Sequence, residues 1–233
     1  MPSLHHPVRG SPGASNLEAM EAAANYHRFL VSSLLARVDP TRPILDFGAG
    51  SGRHARALRQ RGLDVSCVET DPVLRRRLRQ EGFQASAGVH EYETKAFGSV
   101  YSLNVLEHIE DDAGILRDLF TVTASGGRLI LYVPAFPVLF SAMDRRVGHV
   151  RRYRRAQFTS LVERAGFRVI SCLYIDSLGF VISLVYRWLA TTGALSPWSV
   201  AGYDRVVFPM SRALDRVTTR WFGKNILLTA HRD

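Results

Sequence analysis

Apolar residues at helical spacing alternate along the chain with short, continuous apolar runs. The first helical segment, residues 16–38, has one apolar side and is followed by Pro40 and Pro43, which end it. Short apolar runs are typical of strands buried on both faces, and helical segments between them are typical of the helices that cover such a sheet. The alternation therefore predicts an α/β fold with a doubly wound, mostly parallel sheet.

Seven strands are predicted, at residues 44–47, 65–69, 83–87, 100–104, 129–133, 167–174 and 225–230. Further helices are predicted at residues 54–60, 72–80, 107–121 and 155–165. The segment 177–222 contains two more predicted helices, at 180–190 and 204–220, before the last strand. Because long connections at the edge of a sheet often carry function, this helical insertion is predicted to form a cap over an acceptor.

The length of 233 residues suits one domain, which we assign to residues 16–233, after a flexible N-terminal tail at residues 1–15. Hydrophobic residues make up 46% of the chain, which excludes a disordered protein. The tail has no apolar signal core, so we expect a cytoplasmic protein. The most apolar segment, 178–195, contains Arg187 and several small polar residues, and we expect it to pack on protein or lie on a membrane surface without spanning it.

The formal charge of +9 admits nucleic acid, an anionic membrane or an acidic acceptor as a partner. The basic residues are nearly all arginines spread over many segments, which indicates solvated faces. No nucleic-acid recognition motif is visible, which disfavours a nucleic-acid partner. Cys67 and Cys172 lie in separate predicted strands without metal-ligand spacing, so we expect buried, reduced thiols.

A glycine-rich turn, DFGAGSG at residues 46–52, follows the first predicted strand and precedes a helix. Glycines there let the backbone turn sharply and approach a ligand, and the amides at the start of the helix face that ligand. The dinucleotide fingerprint requires a small residue at position 53, where this chain has Arg53. The spacing therefore disfavours a nicotinamide cofactor.

Glu69 ends the second predicted strand, about 20 residues after the glycine-rich turn. A carboxylate at this point of a doubly wound sheet can accept hydrogen bonds from both ribose hydroxyls of an adenosine-containing ligand. The order of strand, turn, helix and strand with a terminal acid is more specific than either motif alone. It predicts a nucleoside-containing cofactor.

Three motifs now stand together: ILDFGAGSG at 44–52, VETDP at 68–72 and NVLEHI at 104–109. With them the chain resembles the class I S-adenosylmethionine-dependent methyltransferases, which implies a Rossmann-like fold and S-adenosylmethionine as cofactor. Further motifs, VPA at 133–135, GHVRRY at 148–153 and AGF at 165–167, resemble those of a bacterial branch of the family. The resemblance to that branch suggests a small or lipid- or glycan-linked polar acceptor, by analogy only.

The resemblance also implies roles for single residues. The methionine part of the cofactor would be lined by Asp46, Gly48, Ala49, Gly50 and Gly52, and its ribose side by Glu69 and Thr70. Asn104 and Leu106 would flank the cofactor from the end of the fourth strand. Where similar enzymes often place an acid beside the adenine, this chain has GVH at 88–90, so backbone groups near Val89 are the candidates for adenine recognition.

Methyl transfer mainly requires that the acceptor be held in line with the sulfonium in a dry pocket. For a hydroxyl acceptor a base helps, and the candidates for catalysis or acceptor contact are His108, His149 and Tyr153. The alternatives are helix capping for His108 and, for residues 144–153, a salt-bridged loop anchored by aromatic residues. Tyr26 is either a lid over the cofactor or a core aromatic.

No metal site is expected, because Glu107, His108 and the acids at 110–112 read as the start of a helix. Aromatic residues of the insertion, among them Phe180, Tyr203 and Phe208, predict packing inside the cap, with an acceptor pocket, a membrane surface or a homodimer contact as alternatives. We predict O- or N-methylation of a polar acceptor. A nucleic-acid-modifying enzyme and a non-catalytic S-adenosylmethionine-binding or membrane-surface protein are the alternatives.

Overall fold

The computed structural model describes residues 23–189 and 197–233. Its sheet runs in the order β3-β2-β1-β4-β5-β7-β6. The strands are β1 (Ile44–Phe47), β2 (Val65–Val68), β3 (Ala85–Ser86), β4 (Phe97–Leu103), β5 (Thr123–Pro134), β6 (Arg168–Ile175) and β7 (Asn225–His231). Only β7 pairs antiparallel, with β5 on one side and β6 on the other. The predicted seven-stranded, mostly parallel Rossmann-like sheet with a helical insertion before the last strand is confirmed.

Helices connect the strands of the described chain. They are α1 (Ala24–Leu35), α2 (Arg53–Arg59), α3 (Pro72–Gln80), α4 (Asp112–Val122), α5 (Ala142–Val147), α6 (Arg155–Arg164), α7 (Ser177–Leu189), α8 (Pro197–Gly202) and α9 (Phe208–Thr218), with a π-helical turn at Tyr203–Val207. Short 3-10 turns lie at Val89–Glu91, Leu106–His108 and Pro137–Leu139. Local sequence determines where α3 begins. Asp71 caps the helix by accepting hydrogen bonds from the amides of Val73 and Leu74, and Pro72 takes the first helical position.

The sheet carries an apolar core on each face. In β5, Leu129, Leu131 and Val133 point to the face covered by α4 and α6. The alternate residues Ile130 and Tyr132 point to the face covered by α1, α2 and α3. All five side chains are buried, because successive residues of a strand point to opposite faces and both faces are covered here.

Several predicted elements differ from the structure. β5 begins at Thr123, six residues before the predicted run, and the helix predicted at 204–220 is a π-helical turn followed by α9. The helix predicted at 107–121 begins only at Asp112, because Asp111 caps it by accepting a hydrogen bond from the Gly114 amide at 2.8 Å. Glu107 and His108 therefore lie in a separate turn before the helix. The connection at 144–153 was expected to lack a helix, but α5 forms within it, with Asp144 accepting a hydrogen bond from the Ser141 amide at 2.8 Å.

The insertion between β6 and β7 is tied to the domain by buried carboxylates. Asp215 of α9 accepts hydrogen bonds from the amides of Asp176 and Ser177, at 2.9 and 3.0 Å, and so caps α7. Asp204 accepts hydrogen bonds from the amides of Asn25 and Tyr26, at 2.9 and 2.8 Å, and so caps α1. Residues 1–22, which include the predicted tail and the start of the first predicted helix, lie outside the described residues.

Among the described aromatic residues of the insertion, Phe180, Phe208 and Phe222 make ring contacts with other aromatic residues, whereas Trp221 is 67% exposed. Phe180 lies against Phe136 and Phe222, and Phe208 packs against Tyr26 and Phe29. The side chains of residues 186–199, including three further aromatics, are outside the described part. Among the described helices, none combines the length and the apolar character needed to cross a bilayer.

Candidate active site

Three polar segments meet at the carboxyl edge of the sheet. The glycine-rich loop follows β1, Glu69 follows β2 and Asn104 follows β4, and these three strands are neighbours. In open α/β sheets, ligands bind outside the carboxyl ends of the strands. Three of the four described non-glycine residues with positive φ angles follow strands at this edge: Asn104 at 55°, Phe136 at 58° and Asp176 at 67°; the fourth, Lys95, precedes β4. Such strained backbone is typical of functional sites.

The glycine-rich loop is shaped by the strand beside it and by the turn after β4. The amides of Gly48 and Ala49 donate to the carbonyl oxygen of Val68, at 2.9 and 3.0 Å. At Gly48 φ is +80°, and a Cβ atom there would lie 2.4 Å from a methyl group of Val105. A Cβ atom at Gly50 would meet no heavy atom within 4 Å. The loop is therefore tightly packed on one side and leaves open space at Gly50.

Asp46 lies in β1 directly below this loop and is 4% exposed. Its Oδ2 atom has no hydrogen-bond partner among the described residues. Burial raises the pKa of Asp46 to about 7, against an interaction with Tyr101 that lowers it, and the charge of Glu69 raises it further. Since a buried carboxylate without a partner is costly, this group indicates a cationic or hydrogen-bond-donating ligand.

Glu69 is fully buried, and its two oxygens take backbone amides. Oε2 accepts from Gly50 at 2.6 Å, and Oε1 accepts from Asp71 at 2.8 Å. These two amide bonds orient the carboxylate. Glu69 thus joins the glycine-rich loop to the end of β2.

Tyr26 and Asn104 lie together, as a lid over the site would require. The Asn104 side-chain amide donates to the Tyr26 hydroxyl at 3.0 Å. The Tyr26 ring also packs edge to face on Tyr132 and Phe208, so it is at the same time an aromatic of the core. Burial raises the pKa of Tyr26, opposed by the hydrogen bond with Asn104.

The other predicted cofactor residues lie around this centre. Val89 and Leu106 are buried in one core cluster, and Gly52 precedes α2 with φ +80°. Thr70 has a buried hydroxyl with no hydrogen-bond partner among the described residues. Near Val89, Glu91 accepts hydrogen bonds from the amides of Ala87 and Gly88, at 2.8 and 3.2 Å. Residues 88–90 contain no acid, but Glu91 follows directly, and its carboxylate is bound to backbone amides.

The turn after β4 meets the 148–150 segment and forms a cluster of two imidazoles and a carboxylate. The Val150 amide donates to the Glu107 carbonyl oxygen at 2.8 Å. The rings of His108 and His149 lie edge to face with centroids 4.8 Å apart. His149 Nε2 lies 3.7 Å from Glu107 Oε1. Glu107 is fully buried, and burial raises its pKa to about 7, opposed mainly by the charge of His149.

A second layer holds this cluster in place. His149 Nδ1 lies 2.8 Å from Asp144 Oδ1, and Arg152 donates to the same carboxylate through Nε at 2.8 Å and Nη2 at 3.1 Å. Burial alone would raise the pKa of Asp144, but the His149 hydrogen bond and the Arg152 charge hold it well below its usual range. Residues 144–153 thus form a salt-bridged loop, and this loop places His149 beside Glu107.

Tyr153 is 5% exposed, and its hydroxyl lies 2.9 Å from Asp112 Oδ2 and 3.1 Å from the Leu106 carbonyl oxygen. Burial raises the pKa of Tyr153, and the charge of Asp112 raises it further. Arg151 also donates to Asp112, at 2.9 Å. These contacts join the 144–153 loop to the turn that carries Glu107 and His108.

Comparison with known proteins identifies the family. The family model described as "Methyltransferase domain" matches residues 19–172, more than half of the chain. The chain belongs to this methyltransferase family. Its fold is that of the class I S-adenosylmethionine-dependent methyltransferases, and the family's cofactor is S-adenosylmethionine.

A curated relative and two solved structures show how far the similarity extends. The Ubiquinone biosynthesis O-methyltransferase of Xanthomonas oryzae pv. oryzae (strain PXO99A) is 27% identical over 99 residues, which cover 38% of this chain. The chain spans 41% of that relative's length. The methyltransferase solved in complex with the Trm112 methyltransferase activator of Haloferax volcanii matches with a TM-score of 0.63 and 15% identity, covering 97% of this chain and 99% of that one.

Geranyl diphosphate C-methyltransferase from Streptomyces coelicolor A3(2), solved with Mg²⁺, geranyl diphosphate and S-adenosyl-L-homocysteine, matches with a TM-score of 0.61. Its identity is 13%, and the match covers 90% of this chain and 79% of that one. At such identities the two structures show a shared fold and say nothing of a shared acceptor.

The described residues fit the family's cofactor. S-adenosylmethionine carries an ammonium group, for which the unpartnered carboxylate of Asp46 is a suitable acceptor. The open space at Gly50 lies next to Glu69, whose carboxylate can accept from hydroxyl groups. The sequence assigned no functional role to Glu107 or Asp144, and the structure places both carboxylates against His149. The contact of Glu107 with His149 joins two segments about 40 residues apart, so no local pattern predicts it.

Proposed function

We propose that this protein transfers the methyl group of S-adenosylmethionine to a hydroxyl oxygen of a polar acceptor that is attached to an apolar or lipid-like portion. The observation that carries the cofactor part is the buried Oδ2 atom of Asp46, which has no hydrogen-bond partner among the described residues, together with the open space at Gly50 in the loop that follows. Family membership supports the reaction class. A cytoplasmic location stays part of the proposal.

The chain's own residues bind and orient the cofactor. Asp46 holds the ammonium group, and Glu69 holds the ribose hydroxyls. Asn104 and Tyr26, joined by their hydrogen bond, would cover the cofactor. When bound, S-adenosylmethionine supplies an electrophilic methyl group on a positively charged sulfur, so the protein needs to supply little more than position and a dry environment.

The acceptor side lies at Glu107, His108 and His149. In-line attack by oxygen is favoured when the hydroxyl proton is held or removed, and histidine is suited to that task near neutral pH. His149 is oriented for it by Asp144, in the manner of a base oriented by a carboxylate. Tyr153 stays a candidate for acceptor contact, but its bonds to Asp112 and Leu106 favour a positioning role.

An apolar portion of the acceptor is supported by the cap. Phe136, Phe180 and Phe222 form an aromatic cluster beside the carboxyl ends of β5 and β6. The curated relative's printed name, an O-methyltransferase of ubiquinone biosynthesis, favours oxygen as the methylated atom and a lipid-like acceptor. An acceptor screen would distinguish this lipid-like hydroxyl acceptor from small acceptors, glycan-linked acceptors and nitrogen acceptors.

Calorimetric titration tests the cofactor site first. The purified chain is titrated with S-adenosylmethionine and with S-adenosylhomocysteine, and the titrations are repeated for Glu69→Ala and for Asp64→Ala. Asp64 precedes β2 and lies at the opposite end of that strand. We expect micromolar binding by the parent and by Asp64→Ala, and a loss of at least tenfold in Glu69→Ala, about the effect of one charge-assisted hydrogen bond.

Folding of each variant is checked by circular dichroism, so that lost binding is not confused with unfolding. If folded parent protein binds neither ligand, the proposed function is wrong. If Glu69→Ala binds as tightly as the parent, the ribose assignment is wrong while the reaction class stands.

A further inference from the structure

The cluster of Glu107, His108 and His149 has features that methyl transfer to oxygen does not require. One ligand atom from each of the three side chains lies within 4.8 Å of the others. Glu107 is fully buried, while the two histidines are partly buried. The residues come from two segments, the turn after β4 and the loop after α5, which are joined by the bond from the Val150 amide to the Glu107 carbonyl oxygen. The grouping is therefore a product of the fold.

Glu107 is the first reason to look for a ligand here. Neither of its carboxylate oxygens has a hydrogen-bond partner among the described residues, although the side chain is 0% exposed. Burial of a carboxylate without compensating bonds is strongly unfavourable, and buried charges are normally paired or coordinate metals. His149 Nε2 lies 3.7 Å from Glu107 Oε1, which is too far for a hydrogen bond.

The orientation of the histidines is the second reason. His149 Nδ1 is held by the Asp144 carboxylate at 2.8 Å, and this turns Nε2 toward Glu107. His108 Nδ1 is held by the Gly148 carbonyl oxygen at 3.2 Å. A metal-binding histidine nearly always donates its other ring N–H to a carboxylate or a backbone carbonyl, and both kinds of partner occur here. Asp144 is itself fixed by Arg152.

We propose that Glu107, His108 and His149 bind one divalent transition-metal ion and leave further coordination positions open to the acceptor. Two imidazoles and one carboxylate suit Zn²⁺, Co²⁺ or Fe²⁺ better than Mg²⁺, which prefers oxygen ligands. This departs from the sequence-based expectation of no metal, since the two histidines are separated by 40 residues and only the fold brings them together.

The role of the ion rests on the proposed function. A hydroxyl oxygen bound to the ion has a lowered pKa, so its proton passes to bulk water before transfer. The oxygen then forms a bond to the methyl carbon, while the bond from that carbon to sulfur breaks and its electron pair stays on the sulfur. The acceptor class is therefore one whose oxygen can bind a metal ion, such as a phenol with a neighbouring hydroxyl.

Metal binding itself is the test, measured on the full chain after dialysis against a chelator. The probes are Zn²⁺, Mn²⁺ and Co²⁺, each added alone, with bound metal counted by elemental analysis and the Co²⁺ form followed by its visible absorption. We expect one tightly bound Zn²⁺ or Co²⁺ per chain. We expect at least 100-fold weaker binding in Glu107→Gln and His149→Ala, and 10- to 100-fold weaker binding in Asp144→Asn.

Two controls separate this site from other imidazoles. His231→Ala removes a histidine at the opposite end of the sheet, beside Arg128, and should bind as the parent does. A variant with His5→Ala and His6→Ala removes the histidine pair of the N-terminal segment. Absence of stoichiometric binding by the folded parent would overturn the metal site, as would binding retained in both Glu107→Gln and His149→Ala.

The titration with S-adenosylmethionine is repeated on the same variants. We expect cofactor affinity within about threefold of the parent, because the three ligands lie on the acceptor side. Failure of metal binding with intact cofactor binding would leave the proposed function standing, with the histidines as proton acceptors. Failure of cofactor binding in the parent would instead count against the proposed function.

Discussion

Asp46 links the charge of the site to pH at the level of a single residue. Its pKa is raised to about 7 by burial, so the carboxyl group is half protonated at neutral pH before a ligand arrives. Only the ionised form can accept an ammonium group as a salt-bridge partner. The cofactor should therefore bind the ionised form of Asp46, and its affinity should be lower at acidic pH.

We predict that the affinity for S-adenosylmethionine rises by up to about tenfold per pH unit between pH 5.5 and 7, the limit for a single proton. Asp46→Asn should bind more weakly than the parent at pH 7 and lose this pH dependence. Calorimetric titration at three pH values measures it. An equally steep profile in Asp46→Asn would assign the titration to another group.

The same residue predicts how stability depends on pH in the free protein. A carboxyl whose pKa is raised from 3.8 keeps its proton in the folded state, so the free energy of unfolding falls as pH rises from about 4 to 7. Asp46→Asn removes this loss, which amounts to roughly 4 kcal/mol at its upper limit. Urea unfolding at pH 4 and pH 7.5 should show that the free energy of unfolding of the variant increases relative to that of the parent only at the higher pH.

At the level of elements, α1 depends on a residue far away in the chain. Asp204, 6% exposed, accepts hydrogen bonds from the first amides of α1 and holds Tyr26 over Asn104. A side-chain cap on a helix contributes about 0.5 to 2 kcal/mol. The insertion therefore stabilises α1, the helix that we propose covers the cofactor site.

We predict that Asp204→Ala lowers the free energy of unfolding by about 1 to 2 kcal/mol, because it leaves two amides without their acceptor. It should also weaken S-adenosylmethionine binding about three- to tenfold through the loosened Tyr26. Asp233→Ala, which removes an exposed carboxylate paired with Arg168, is the matched control and should change neither quantity. Lost stability with unchanged affinity would show that α1 does not cover the cofactor.

Some helices and strands leave a clear pattern in the sequence, and others do not. Strands buried on both faces appear as continuous apolar runs, so β1, β2 and β7 were predicted to within one residue, while β5 begins six residues before its predicted apolar run. The start of α4 was placed too early, since the polar stretch before Asp111 fits a helix as well as a turn. The short helix α5 was missed because an element of six residues has too few apolar positions to show a period.

The candidate site divides in the same way. The residues proposed for the cofactor side are visible in the sequence, because one turn, one strand end and one acid lie within a short stretch of it. The acceptor side depends on contacts such as His149 with Glu107, between segments about 40 residues apart. Such contacts follow from packing of the two segments and leave no periodic pattern along the chain.

At the level of the whole molecule, α9 and α7 present an apolar surface. Val206, Met210, Val217 and Trp221 are more than half exposed on the α9 side, and Val185 is 52% exposed on α7. Exposed arginines at 205, 216 and 220 lie along the same segment. Apolar residues combined with arginines suit an anionic membrane surface, which would bring a lipid-linked acceptor to the cap.

We predict that the protein co-sediments with vesicles of phosphatidylglycerol and phosphatidylcholine, and less with phosphatidylcholine alone. Val217→Asp should reduce this binding several-fold, because it places a charge on the apolar surface. Val73→Asp, at a site with 69% exposure against 63% for Val217, is the control with the same charge change. Equal sedimentation of Val217→Asp and the parent would exclude this surface.

The place of β7 in the sheet has a consequence for biosynthesis. β7 lies between β5 and β6, yet it is made after both of them, about 50 residues behind the end of β6. At translation rates of about 5 to 20 residues per second, the facing edge of β6 stays unpaired for roughly 3 to 10 seconds, and that of β5, which ends 91 residues before β7 begins, for roughly 5 to 18 seconds. Unpaired strand edges invite pairing with other chains, so a nascent chain paused in this interval is the form of the protein most exposed to aggregation and most in need of a chaperone.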